Sequence, residues 1–113
     1  MKRIFSTLVV AMAGAAVLSP APVSAQSCGY YIVLGCAKSH VAAVQRLNAL
    51  GGPGIGGAGI GGSQGTQVVH TNDYPNFRNG YFCVVDGPYS SRADAESIAW
   101  KEAVPDAYVK SGC

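Results

Sequence analysis

Cysteine is the residue type in this chain that offers the most chemistry. The four cysteines are Cys28, Cys36, Cys83 and Cys113. An even number in a small chain that carries an export signal (described below) indicates two disulfides, and four cysteines allow three pairings. The residues alone do not choose among these pairings. A metal site would need a second ligand pair beside Cys36 and His40, and the sequence has neither such a pair nor a Cys-x-x-Cys motif. We therefore predict disulfides and no metal.

The two histidines are the other side chains that could serve in catalysis. His40 and His70 have no serine nucleophile motif, metal triad or paired carboxylates beside them in the sequence. A redox role for cysteine ordinarily uses the Cys-x-x-Cys pair that is missing here. We expect neither an enzyme nor a bound cofactor.

A pattern that occurs twice predicts the elements that position these residues. Each copy has an aromatic and β-branched run, then a glycine, then a serine followed by an alanine-rich amphipathic run. Aligning Gly35 with Gly87 also aligns Ser39 with Ser91, and the aromatic runs before the two glycines are Tyr30–Leu34 and Tyr81–Val85. Each copy predicts a strand, a turn and a helix capped by its serine. Core-facing helix positions are predicted at Ala43, Val44, Leu47 and Leu50 in the first helix, and at Ala95, Ile98, Ala99 and Ala103 in the second.

The remaining segments complete a βαββαβ order. Thr66–Thr71 and Ala107–Lys110 predict the second and fourth strands, and the second helix is expected to run from Arg92 to Val104. Residues 51–65 are rich in glycine and predict a flexible loop that does not pack. The fold class is α+β, a four-stranded, antiparallel-rich sheet with two helices on one face. The other face is expected to be open and to hold the binding site.

The first 25 residues have the features of a cleaved secretory signal peptide. Lys2 and Arg3 precede an apolar run, and Val23-Ser24-Ala25 is a small-residue cleavage site. Cleavage leaves residues 26–113 as the single domain, exported to the periplasm or secreted, with no membrane attachment. This remainder carries six Lys or Arg and six Asp or Glu. A neutral chain is a poor ligand for nucleic acid or anionic lipid.

The second copy and the end of the chain resemble a SPOR domain. Gly80-Tyr81-Phe82-Cys83-Val84-Val85-Asp86-Gly87-Pro88-Tyr89-Ser90-Ser91 is similar to that family's third strand and the turn after it. Pro105 to Lys110 resembles its last strand, and Tyr30 to Gly35 resembles its first. The resemblance implies a bacterial envelope module that binds peptidoglycan glycan strands lacking stem peptides, with cell-envelope or division proteins as further partners and division sites as its place of action.

The resemblance also implies which residues form the site and how the cysteines pair. Matching the family's site on the open sheet face gives Tyr31, Val33, Cys36, Tyr81, Cys83, Val85 and Tyr108. The family's sheet brings the first and fourth strands together, which implies the disulfide Cys28–Cys113. Cys36 and Cys83 fall on family positions that flank the same site, which implies the disulfide Cys36–Cys83. Tyr31 is expected to be exposed and Tyr30 buried. Since the remaining chain is neutral, we expect aromatic stacking to dominate binding, with little dependence on salt.

Other functions stay open at this point. Val33, Cys36 and Cys83 stand where the family often has polar residues, which favours a disulfide-stabilised protein-interaction domain that no longer binds glycan. The βαββαβ order also suits an RNA-recognition module, against which the signal peptide and neutral charge argue. Arg78 and Asn79 are assigned to a solvated turn rather than to a ligand contact, and Trp100 to partial packing.

Overall fold

The computed structural model describes residues 28–113. The predicted signal peptide, residues 1–25, lies outside the described residues. Within residues 28–113, no helix has the length and apolar character needed to cross a lipid bilayer.

All four predicted strands form, in one antiparallel sheet. They are β1 (Tyr30–Ala37), β2 (Thr66–His70), β3 (Phe82–Tyr89) and β4 (Tyr108–Ser111), and their order in the sheet is β2-β3-β1-β4. The predicted α+β class and βαββαβ order are confirmed. The two aligned copies of the sequence pattern therefore supply the two central, neighbouring strands.

The glycines that were expected to end the central strands lie inside them. The pairing of β1 with β3 shifts register between Tyr30 and Ile32 and again between Val33 and Gly35, so each strand contributes an extra residue at one of these bulges. A bulge bends a strand without ending it. Gly87 is required beside one bulge, because a Cβ there would lie 2.8 Å from the Tyr30 carbonyl oxygen. The predicted ends at Leu34 and Val85 were therefore wrong.

The first helix, α1 (His40–Ala49), forms as its sequence predicts. The Ser39 side chain accepts a hydrogen bond from the Ala42 amide at 3.1 Å, which caps the first turn. Ala43 and Leu47 are buried against the sheet. Gly52 donates its amide to the Leu47 carbonyl, and the chain leaves the helix there.

The second helix, α2 (Arg92–Glu96), is shorter than predicted. Ser91 caps it through the Asp94 amide at 3.1 Å, but the Ser97 hydroxyl donates to the Asp94 carbonyl and Ala99 leaves helical dihedrals. A short 3-10 turn, Trp100–Glu102, follows. Local serine bonds of this kind compete with helix continuation. The predicted helix to Val104 was wrong, and Ala99 and Ala103 are exposed.

Both helices pack on the same face of the sheet, as predicted. The core on this face combines β1 and β3 side chains with one residue from each helix and two from the segment before β4. These buried residues are Ile32, Leu34, Leu47, Val84, Tyr89, Ala95, Val104 and Ala107.

The glycine-rich segment packs into this face and is held by a buried carboxylate. Asp86 of β3 is fully buried and accepts hydrogen bonds from the Gly57 amide at 3.0 Å, the Ser63 hydroxyl at 3.3 Å and the Trp100 indole N–H at 2.7 Å. A Cβ at Gly57 would collide with the Tyr89 hydroxyl. The prediction that residues 51–65 form a flexible loop without packing was therefore wrong, while partial packing of Trp100 is confirmed.

Candidate functional site

The sheet face opposite the helices is partly covered. The segment between β2 and β3 begins with a 3-10 turn, Thr71–Asp73, and folds back over β1. The Tyr31 ring meets Tyr74 edge-on, with ring centroids 5.3 Å apart, and meets Phe77 edge-on at 6.1 Å. We call Tyr74 to Gly80 the covering segment. It turns much of the face that was expected to be open into a second small core.

Three of the predicted site residues lie in this second core. Tyr31 is 1% exposed, Val33 3% and Val85 0%. The expectation that Tyr31 is exposed was wrong, because strand alternation gives the face of a side chain but not what covers that face. Burial raises the pKa of the Tyr31 phenol, and a hydrogen bond with Tyr74 adds to the shift. Tyr31, Val33 and Val85 are core residues, and Val33 also borders a small hollow described below.

Both disulfides form with the pairing that the resemblance implies. Cys28 is bonded to Cys113, and Cys36 is bonded to Cys83. The second bridge joins residues that are direct partners across β1 and β3. Cys36 is exposed, while Cys83 is 2% exposed. Disulfides persist in oxidising compartments, so the two bridges indicate a disulfide-stabilised domain in an extracytoplasmic location.

The other four predicted site residues come together at the Cys36–Cys83 bridge. They line one depression of about 260 Å³, which we call the disulfide groove. Its lining is Cys36, Cys83, Tyr81 and Tyr108, together with Thr71, Phe77, Arg78 and Lys110. A hollow of about 250 Å³ adjoins it, sharing Cys36 and Tyr108 and bordered by Val33 and Asp106.

Two tyrosines give the groove exposed aromatic surface. Tyr108 is 52% exposed, and Tyr81 is half-buried. The backbone of Tyr81 is fixed by Thr71, whose hydroxyl accepts the Tyr81 amide at 3.0 Å and whose amide donates to the Tyr81 carbonyl at 2.9 Å. Thr71 is itself buried. The ring is therefore presented by a rigid backbone rather than by a mobile turn.

Cations lie near two aromatic rings of the groove lining, those of Tyr81 and Phe77. The Lys38 ammonium lies 5.0 Å from the centroid of the Tyr81 ring, and the Lys110 ammonium lies 5.9 Å from that of Phe77. Arg78 is exposed in an irregular segment, as its assignment to a solvated turn predicts, and it also lines the groove. No acidic side chain of the described residues lines the groove. The groove can bind a ring through its faces and an anion through its cations.

Sequence reasoning missed the covering segment and the cations that flank the groove. A usable signal was present in Tyr74-Pro75-Asn76-Phe77, where two aromatics sit in a segment otherwise composed of turn residues. Large aromatics are seldom left in a solvated turn. Lys38 and Lys110 gave no comparable signal, because an isolated lysine on a strand end is most often solvated.

A larger cleft, of about 590 Å³, lies on the helix side of the sheet. Its floor is formed by Ile32, Ala95, Ala107 and Val109, and Ile98 and Trp100 form its wall. Charged side chains of α2 and the 3-10 turn lie at the rim, where Arg92 pairs with Glu96 at 3.4 Å. The cleft is mainly apolar and its rim carries both signs of charge. The disulfide groove is smaller, but it has the more specific chemistry.

Comparisons of the chain with protein-family models, with curated proteins and with solved structures found no match. The function therefore has to be argued from the site itself.

Proposed function

We propose that this protein is an exported, SPOR-like module that binds the glycan strands of peptidoglycan in the cell envelope. The observation that carries the proposal is the disulfide groove. Four residues that the family resemblance selects from distant parts of the sequence, Cys36, Tyr81, Cys83 and Tyr108, line one depression. Export by the signal peptide agrees with the two disulfides, which form in an oxidising compartment.

The groove binds sugar through ring faces. A pyranose ring has an apolar face of axial C–H groups, and a tyrosine offers an apolar ring face with a hydroxyl at its edge. Tyr108 supplies the more accessible ring, and Thr71 holds Tyr81 in place. The Cys36–Cys83 bridge adds apolar surface to the groove that holds both tyrosines. The polar contacts to the sugar are therefore made by Arg78 and the lysines.

The module acts by binding, with no catalytic residue, metal or cofactor assigned to it. Its partners are glycan strands, and cell-envelope or division proteins are further candidates. Nucleic acid and membrane lipid are not among them, because the remaining chain has equal numbers of cationic and anionic residues.

The test is sedimentation of purified protein with peptidoglycan sacculi, with and without amidase treatment. Wild type should move to the pellet with amidase-treated sacculi. Tyr108→Ala and Tyr81→Ala should each weaken binding by on the order of 1 kcal/mol or more if the rings are anchors. Val41→Ala is the matched control, because Val41 is 66% exposed on α1, on the helix side of the sheet. Wild type that stays in the supernatant with every preparation would refute the proposal.

The larger cleft favours protein interaction as a second candidate function. It is apolar, it lies beside the edge strand β4, and its volume is within the range of small-ligand or side-chain pockets. Ala99→Trp would fill this cleft while leaving the disulfide groove intact. If that variant loses an envelope partner that Tyr81→Ala retains, the protein-interaction function is the correct one, because Tyr81 lines only the groove.

A further inference from the structure

The charges of this domain are distributed unevenly over its two faces. Residues 28–113 contain six Lys or Arg, and three of them, Lys38, Arg78 and Lys110, stand at the disulfide groove. The ion pair between Arg92 and Glu96 lies on α2, on the other side of the sheet from this groove. A chain that is neutral as a whole therefore has a locally cationic groove.

The acidic side chains lie mostly elsewhere. Four of the six acidic side chains are on the helix side of the sheet. Asp86 is buried beneath the glycine-rich segment, Asp94 is on α2, and Glu96 and Glu102 line the larger cleft. Asp106 borders the hollow beside the groove, and Asp73 is in the turn before the covering segment. The groove lining itself contains two cations and no carboxylate among the described residues.

The lysines are held where an anion on a stacked sugar would reach them. The ammonium groups of Lys38 and Lys110 lie 5.0 Å and 5.9 Å from aromatic ring centroids. A cation–π contact places each ammonium beside an aromatic ring, where its charge attracts an anionic group on a ligand stacked nearby. Arg78 adds a planar donor suited to a carboxylate. A sugar stacked on Tyr81 or Tyr108 thus places its substituents among three cations.

We infer that the ligand of the disulfide groove is a saccharide that carries a carboxylate. This inference rests on the proposed function and deepens it. In peptidoglycan the stem peptide is joined to the sugar's lactyl group by a neutral amide. Hydrolysis of that amide by water, with release of the peptide amine, leaves a free carboxylate on the sugar. In an intact strand the carboxylates lie out along the stem peptide, so a cationic groove that also stacks on the sugar selects strands whose carboxylate is on the sugar itself.

Two sources can supply the same chemistry, and the experiment separates them. Calorimetric titration compares four oligosaccharides of matched length: the amidase product of peptidoglycan, the same product with its carboxyls converted to primary amides, a neutral N-acetylglucosamine oligomer and an oligogalacturonate. The amidase product should bind, and its amide form and the neutral oligomer should bind more weakly. Binding should also weaken as salt is raised, because salt screens exposed charges. This differs from the weak salt dependence expected from the neutral chain, which did not take account of the cations at the groove.

Charge-removing variants locate the effect. Lys38→Gln, Arg78→Gln and Lys110→Gln should each weaken binding of the amidase product by about two- to fivefold, the range for one partly exposed charge pair. They should weaken binding of the neutral oligomer by a smaller factor, because that ligand has no carboxylate to lose contact with. Lys101→Gln is the matched control, because Lys101 borders the larger cleft on the other side of the sheet. An unchanged melting temperature shows that each variant is folded.

The outcomes separate the two claims. Equal binding of the amidase product, its amide form and the neutral oligomer overturns the carboxylate inference and leaves glycan binding standing. Binding of oligogalacturonate alone supports the carboxylate inference and overturns the proposed peptidoglycan function. Binding of no saccharide overturns both.

Discussion

Gly57→Ala should destabilise the domain, although glycine to alanine is often stabilising in a loop. Gly57 is buried, and its φ is not in the left-handed region, so alanine meets no backbone strain there. The new Cβ would instead collide with the Tyr89 hydroxyl and lie 2.8 Å from Cδ1 of Ile98. These neighbours are packed into the core, so they have little room to move.

The magnitude follows from opposing terms. Overpacking of a core destabilises a fold by about 1–3 kcal/mol. Alanine also lowers the conformational entropy of the unfolded chain, which stabilises the fold by about 0.4–1 kcal/mol. If the loop moves away instead, the hydrogen bond from the Gly57 amide to the Asp86 carboxylate is lost. A hydrogen bond of this kind contributes about 1.5–3 kcal/mol. The net loss is about 1–2 kcal/mol, which lowers the melting temperature of a domain this size by roughly 5–15 °C.

The assay is thermal unfolding followed by circular dichroism, in a double-mutant cycle with Tyr89→Phe. Among the described residues the Tyr89 hydroxyl has no hydrogen-bond partner of good geometry, so Tyr89→Phe alone should be close to neutral. In the Tyr89→Phe background, Gly57→Ala should cost at least about 0.5 kcal/mol less, since the hydroxyl it strikes is gone. Ala58→Ser, at the exposed next position, is the control and should stay within about 0.5 kcal/mol of wild type. A Gly57→Ala variant as stable as wild type, or an equal cost in both backgrounds, would refute this packing of the loop.

Three further predictions concern the tyrosines and the groove bridge. Tyr31→Ala should cost about 3–5 kcal/mol of unfolding free energy in urea titrations, the range for a buried aromatic, whereas Tyr81→Ala should cost clearly less and act mainly on glycan binding. Burial raises the pKa of Tyr31 and Tyr89 above the ordinary tyrosine value of about 10, so both stay neutral in the fold while the unfolded chain ionises. Stability should be complete below about pH 10 and fall as the pH rises further. Of the six tyrosines, two should ionise only together with loss of the dichroism signal, and tyrosinate absorbance of all six in a still folded protein would contradict this. The Cys36→Ala, Cys83→Ala double variant should lose about 2–4 kcal/mol in urea titrations yet keep the sheet, and a variant as stable as wild type would show that the bridge adds nothing.

The parts of the fold that were predicted correctly depend on local patterns. Ser39 and Ser91 cap the helices because a serine side chain can accept an amide three residues ahead, and that spacing is visible in the sequence. Alternation along β1 correctly assigned Ile32 and Leu34 to one face and Val33 to the other. The four groove residues were predictable only through the family resemblance, because no periodicity links β1 with β3 and β4.

The parts that were missed depend on tertiary contacts. A glycine-rich segment has few side chains, so its packing takes place through backbone amides, and Gly57 contacts Asp86 without leaving any pattern in the sequence. Trp100 binds the same carboxylate, and the chain there departs from the helix that the alanine spacing predicts. The cover over Tyr31 comes from Tyr74 and Phe77, which lie in a segment without helical or strand periodicity.

The Cys28–Cys113 bridge gives the domain the connectivity of a closed ring. It joins residues 85 apart in sequence, so every peptide bond between them lies within a covalent loop. A protease that makes one cut in an exposed turn, such as the bond between Asn79 and Gly80, opens the ring but releases no fragment. The nicked chain gains one water and remains a single molecule until a reductant acts. Such a domain tolerates single cleavage events among the proteases of an extracytoplasmic compartment without losing the strands that line its groove.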